Sequence, residues 1–151
     1  MHQFTESHPE FKGFSDYYHK ELFPFLAATE SKRKAAVSKF YKIAPERIVV
    51  FHDELDLDAS KCRVKMGGGV AGHNGLKSIK AHLGTPEFRR VRMGIGHPGD
   101  RARVSGYVLS DFAKSEQGWV ERMLGAVADH APLLLEGSDD FMTRVAEAVR
   151  G

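Results

Sequence analysis

Two segments in the middle of the chain alternate apolar with basic residues. From Lys61 to Met66, the apolar Cys62, Val64 and Met66 interleave with Lys61, Arg63 and Lys65. From Phe88 to Gly96, Val91, Met93 and Ile95 interleave with Arg90 and Arg92. A period of two is that of a β-strand, whose successive side chains face opposite ways, so each segment reads as a strand with one apolar and one basic face. Arg47 to Phe51, Arg-Ile-Val-Val-Phe, is a continuous apolar run rich in β-branched residues, which reads as a buried strand, parallel by its helical flanks. It ends in His52-Asp-Glu-Leu-Asp-Leu-Asp58. Acids directly after a buried strand stand where open α/β sheets place ligand sites, at the carboxyl ends of strands, although an acidic turn accounts for them as well.

Helical spacing fills the rest. Ser31 caps a predicted helix with Ala35, Ala36, Val37, Phe40 and Tyr41 on one face, and Pro45 stops it. His73 or Asn74 opens a second helix through Leu76, Ile79 and Leu83, with Gly84 as its stop and Pro86 beyond. Val104 to Leu109 reads as a short strand or loop. Ser110 or Asp111 then begins the longest helix, carrying Trp119, Val120, Met123, Leu124, Val127, Ala128 and Ala131 on its core face, and Pro132 divides it before Leu133 to Leu135. A last helix runs from Ser138 to about Val149, with Asp139 and Asp140 suited to the positive end of its dipole. Residues 1 to 30 are aromatic-rich but fit neither period. With no repeat, low-complexity tract or linker, residues 1–151 read as a single α/β domain.

Composition adds exclusions. The apolar share of 42% and the charged share of 28% suit an ordinary globular protein. No run approaches the ~18 apolar residues of a membrane span, and Met1 to Glu10 is polar rather than a signal peptide, so a cytoplasmic monomer with no membrane partner is expected. Cys62 is the only cysteine, which excludes an internal disulfide and makes a small buried apolar residue the expectation.

The net charge of +2 hides an uneven distribution. Residues 1 to 60 carry eight Lys and Arg against ten Asp and Glu, residues 61 to 103 carry ten against two, and residues 104 to 151 carry four against eight. A basic middle third whose cations lie on strand faces points to a polyanion such as RNA. That block encloses Met66 to Ser78, Met-Gly-Gly-Gly-Val-Ala-Gly-His-Asn-Gly-Leu-Lys-Ser. Glycine costs backbone entropy and brings no packing side chain, so such a cluster marks either a turn or a place where bare backbone approaches a ligand. A helix N-terminus directly after it offers free N–H groups to an anion or carbonyl oxygen. His97, in Gly96-His-Pro-Gly-Asp100, is either a site residue or a turn hydrogen-bonder.

Taken together, Phe40-Tyr-Lys-Ile with Pro45, His52-Asp-Glu-Leu-Asp-Leu57, Arg63-Val-Lys-Met-Gly-Gly-Gly-Val-Ala-Gly-His-Asn-Gly-Leu76 and Arg90-Val-Arg-Met-Gly-Ile-Gly-His-Pro98 resemble, in order and spacing, the bacterial-type peptidyl-tRNA hydrolases. The resemblance runs from about residue 39 to 149. It implies a twisted mixed, mostly parallel sheet flanked by helices, and hydrolysis of the ester that joins a peptide to the 3′ end of tRNA, with peptidyl-tRNA as partner. Asp53 matches the acid that orients the catalytic histidine. Asn74 matches an asparagine that binds substrate beside the scissile ester, with His73, Gly69 and Gly72 around it. Arg63, Lys65 and Arg92 match cations that hold tRNA phosphates. No cofactor is implied, and no carboxylate and histidine spacing suggests a metal shell.

The sequence departs from the family at its start. The family's first strand with its Gly-x-x-Asn-Pro-Gly loop, and the Thr-Arg-His-Asn block that supplies the general-base histidine, are both absent, so the first strand is lacking or replaced. His8, His19 and His73 are the candidates for a substitute base. The alternative is a non-catalytic tRNA-binding remnant of the same fold.

Overall fold

The computed structural model describes residues 38–150. The segment from 1 to 37, with His8, His19 and most of the helix predicted from Ser31, lies outside the described residues. The chain divides into two compact units, one of Met1–Arg47 with Gly68–Pro86 and one of Ile48–Gly67 with Glu87–Gly151.

In the first unit, residues 38–40 are the end of a helix. Its stop is Lys42 rather than Pro45. Lys42 takes a left-handed φ of 53°, and the Ile43 and Lys42 amides donate to the Ser38 and Lys39 carbonyls at 2.9 and 3.1 Å, the paired bonds of a Schellman end. Pro45 opens a 3-10 turn, Pro45–Arg47, where its missing N–H costs nothing. Phe40 and Tyr41, predicted on the apolar face, are exposed, and their rings meet edge to face with centroids 5.0 Å apart. Helix α1, Asn74–Leu83, ends as expected at Gly84, whose φ is 79° and whose amide returns to the Lys80 carbonyl.

The second unit is built on three strands, β1 (Val49–Glu54), β2 (Cys62–Met66) and β3 (Arg89–Gly94), in the order β1-β3-β2. β1 runs parallel to β3 and β2 antiparallel to it, so the sheet is mixed as expected, its described pairings one of each kind rather than mostly parallel. β1 also outruns its predicted end. Pairing with β3 continues through Asp53 opposite Met93 and Glu54 opposite Gly94, which makes both acids strand residues. Phe51, expected to be buried, is exposed.

Alternation on the outer pair follows the sequence. Cys62, Val64, Val91 and Met93 turn one face toward helices α3 (Gln117–His130) and α4 (Ser138–Arg150), joining Met123, Ala126, Val127, Leu134, Phe141 and Val145 in one core. Val91 and Phe141 are fully buried; full burial of such side chains is worth about 1.5–3 kcal/mol each. Among the described residues β2 lies at an edge of the sheet, and its outer Val64 amide donates to the Met142 sulfur of α4 at 3.3 Å. Arg89 ties the start of β3 to the Leu134 carbonyl, in the 3-10 turn Ala131–Leu135 that Pro132 opens.

Between sheet and α3 the expectation is corrected. Val104–Leu109 is helix α2, not a strand or loop, entered from a 3-10 turn whose cap is the Asp100 carboxylate accepting from the Ala102 amide. Ser110, read as the start of the long helix, instead ends α2, its hydroxyl donating to the Tyr107 carbonyl at 2.8 Å. α3 starts only at Gln117. Phe112 in the intervening segment packs edge to face on Trp119 of α3, centroids 5.6 Å apart.

Gly94 is where the loop after β1 presses hardest on the sheet. Its amide donates to the Lys61 carbonyl at 2.7 Å, and a Cβ there would sit 2.1 Å from the Asp58 carbonyl oxygen. Gly94→Ala should therefore destabilise by about 3 kcal/mol or more in urea unfolding, as overpacking against immovable backbone does. Gly125 in α3 has no described atom within 4 Å of such a Cβ, and Gly125→Ala should stabilise by about 0.5–1 kcal/mol.

Candidate nucleic-acid interface

Register puts the cations of the second unit in a row. Arg63 of β2 lies opposite Arg92 of β3, and Lys65 opposite Arg90, so all four share the sheet face turned away from the α3 and α4 core. Arg63 and Lys65 are exposed and Arg92 half-buried. Arg90 is 3% exposed with its guanidinium 4.7 Å over the Phe88 ring. Burial lowers its pKa, partly opposed by the charge of Glu87, and it serves the interior rather than the surface. Arg63 folds back to donate to its neighbour's Cys62 carbonyl at 2.9 Å.

Glu54 brings a carboxylate to this face. Glu54 Oε2 accepts from Arg92 Nε at 2.8 Å, and its other oxygen accepts from the Asp56 amide at 3.2 Å. Burial raises the Glu54 pKa, but the bonds to Arg92 and Asp56 and the charges of Arg92 and His52 outweigh it, so the group is held below its ordinary value. Glu54 therefore stays ionised at neutral pH, and the stability its pairing adds is lost as pH falls through the acid range. In the sequence it is only one of a group of acids; the bond to Arg92 spans 38 residues and becomes visible only through the β1/β3 register.

Asp53, one residue earlier, alternates to the register position of Met93, on the sheet face opposite Arg92. Asp53 is half-buried. The preceding His52 is buried, its Nδ1 2.7 Å from the Asp53 carbonyl, which places a proton on that nitrogen because a carbonyl only accepts.

The glycine stretch begins in the second unit and continues in the first. Gly67 leaves β2 with a φ of 61° and donates to the Phe88 carbonyl at 3.0 Å. Gly68 and Gly72 are also left-handed, at 97° and 80°, and Ala71 is at 42°. Much of the glycine is thus required by the backbone itself. Gly69 differs: its φ is not left-handed, and no described atom lies within 4 Å of where a Cβ would stand. Asn74 is exposed in the first turn of α1. His73 is the N-cap: its Nδ1 accepts from the Leu76 amide at 3.2 Å, which leaves the neutral ring's proton on Nε2 and no lone pair for a general base unless the cap is broken. Gly69, Gly72, His73 and Asn74 belong to the first unit and Asp53, Arg63, Lys65 and Arg92 to the second.

Two other candidates resolve to structure. His97 Nδ1 accepts from the Gly99 amide at 3.0 Å, the turn reading. Cys62 is buried as expected, and burial pushes its thiol up to about 11. Among the described residues no cluster of three or more His, Cys, Asp and Glu side chains is placed to hold a metal ion, and no helix is long and apolar enough to cross a membrane.

The sequence profile of the family described as peptidyl-tRNA hydrolase matches residues 29–150. The chain belongs to the peptidyl-tRNA hydrolase family. A peptidyl-tRNA hydrolase of Granulibacter bethesdensis is 59% identical over 121 residues, covering 80% of this chain and 61% of the relative. One of Methylocella silvestris is 65% identical over 109 residues, covering 72% and 55%. The crystal structure of peptidyl-tRNA hydrolase from Acinetobacter baumannii superposes with a TM-score of 0.68 at 42% identity, over 77% of this chain and 60% of that one. The chain thus spans about three fifths or less of the length of these relatives.

The cap assignment for His73 is testable by stability alone. His73→Ala should cost about 1 kcal/mol, as loss of an N-cap does, and His73→Asn should restore most of it. Thermal or urea unfolding of the two variants reads the difference.

Proposed function

We propose that this chain acts on peptidyl-tRNA, binding tRNA phosphates through Arg63, Lys65 and Arg92 and hydrolysing the ester between peptide and tRNA. The observation that carries the reading is the register of Arg63 opposite Arg92, which lines basic side chains along one face of a sheet in a chain of this family. Like charges directly opposite one another cost stability in a sheet, and a polyanion lowers that cost.

In this reading Asn74 holds the substrate beside the scissile ester, with Gly69 and Gly72 letting the tRNA end pass close to backbone and the cap residue His73 fixing the loop. Ester hydrolysis near neutral pH needs a base that takes a proton from the attacking water, and histidine has the pKa for it. Asp53 orients that imidazole and stabilises the imidazolium formed during attack. With His73 committed to its cap, the base comes from elsewhere in the chain. The same reading makes the protein a cytoplasmic monomer of the translation apparatus.

A second reading, a tRNA-binding module without catalysis, is favoured by the commitment of His73 to its helix cap, which takes one candidate base out of the chemistry. Peptide release from peptidyl-tRNA separates the two. The hydrolase reading expects turnover that falls on the order of 10³-fold in Asp53→Asn, as loss of an orienting carboxylate does. Tight tRNA binding with no release above the uncatalysed rate would establish the module instead.

A further inference from the structure

We propose that Glu54 is a positioning residue for the phosphate contact made by Arg92. The inference rests on the reading of the basic face as a tRNA site and assigns within it a residue of the opposite charge.

Arg92 stands across from Arg63 and two positions along β3 from Arg90. A long cationic side chain in that company is driven outward by its neighbours, and holding it in one rotamer costs conformational entropy. Glu54 opposes both. One carboxylate oxygen takes the Asp56 amide and the other the Arg92 Nε, at 3.2 and 2.8 Å, so a chain of bonds runs from loop backbone through Glu54 to the guanidinium. The Arg92 and Glu54 side chains are only 26% and 13% exposed, which limits screening and motion. Among the described residues the guanidinium makes no other hydrogen bond, so its two terminal nitrogens, the pair that grips a phosphate in bidentate fashion, remain for a ligand. The arrangement fixes the stem of the fork and leaves its tips.

The proposal makes a prediction opposite in sign to simple electrostatics. Removing a carboxylate from a polyanion-binding face should tighten binding. If Glu54 positions Arg92, Glu54→Ala should instead weaken tRNA binding about three- to tenfold, and Glu54→Gln, whose amide oxygen still accepts from Nε, should weaken it less. In an Arg92→Ala background the weakening should vanish, with affinity unchanged or slightly raised. The variants are titrated with tRNA across a range of salt concentrations, after unfolding curves have shown each to be folded.

Equal weakening by Glu54→Ala with and without Arg92 would mean that Glu54 merely supports the sheet, and would overturn the proposal. So would tighter binding by Glu54→Ala in the Arg92 protein. An Arg92→Ala protein with unchanged affinity and an unchanged salt slope, where loss of a phosphate contact should reduce the slope by about one, would overturn the phosphate-binding reading itself. That result is separate from the failure of Glu54 alone.

Discussion

The second unit depends on one strand being paired on both sides. β3 takes β1 in parallel and β2 in antiparallel register, so the parity of its residues decides the role of each side chain on all three strands. Val91 falls on the core side and is fully buried. Arg92, next in sequence, falls on the other side, where its partners are Arg63 and Glu54. A slip of one residue would carry Val91 into solvent and the neighbouring cations into the α3 and α4 core, which is why register is strongly specified when one face is apolar. Burial of the apolar face therefore sets the geometry of the basic one.

That coupling explains a cation row that looks unfavourable by itself. Arg63, Lys65, Arg90 and Arg92 repel one another, and the fold moderates this in three local ways. Arg90 is stacked over Phe88, Arg63 bends to a backbone carbonyl, and Arg92 is held by Glu54. The exposed remainder is available to a phosphate backbone. Positive φ angles at Gly67, Gly68 and Gly72 turn the chain sharply as it leaves β2, and Gly94 admits the loop that brings Asp56 and Glu54 into contact.

Much of this was legible in the sequence where a short period met a clear boundary. β2 and β3 were readable because alternation shows within five or six residues, α1 because Gly84 marks its end, and Cys62 because a lone cysteine on an apolar stripe belongs in the core. The motif order placed the chain in its family. What was not legible came from partners distant in sequence or from boundaries without composition. β1 continues through Asp53 and Glu54 because β3 lies alongside, which their acidity conceals. α2 is six residues long, too short for a helical period to declare itself, and Ser110 has the character of an N-cap while serving as a C-terminal one. Lys42 ends its helix in a left-handed conformation that no residue type announces, so Pro45 drew the boundary away. Of the candidate site, the cations were readable by parity. The cap role of His73 was open at the level of sequence, and the Glu54 partnership needed the register.

The central claim is that tRNA lies across the exposed cations of this sheet face, and lysine acetylation footprinting tests it most directly. Lys61 and Lys65 are exposed beside and on β2, and Lys114 is exposed between α2 and α3, within the acidic third of the chain. With saturating tRNA, Lys65 should be strongly protected from acetylation and Lys114 should react as in the free protein. Equal labelling of Lys65 with and without bound tRNA would contradict the account.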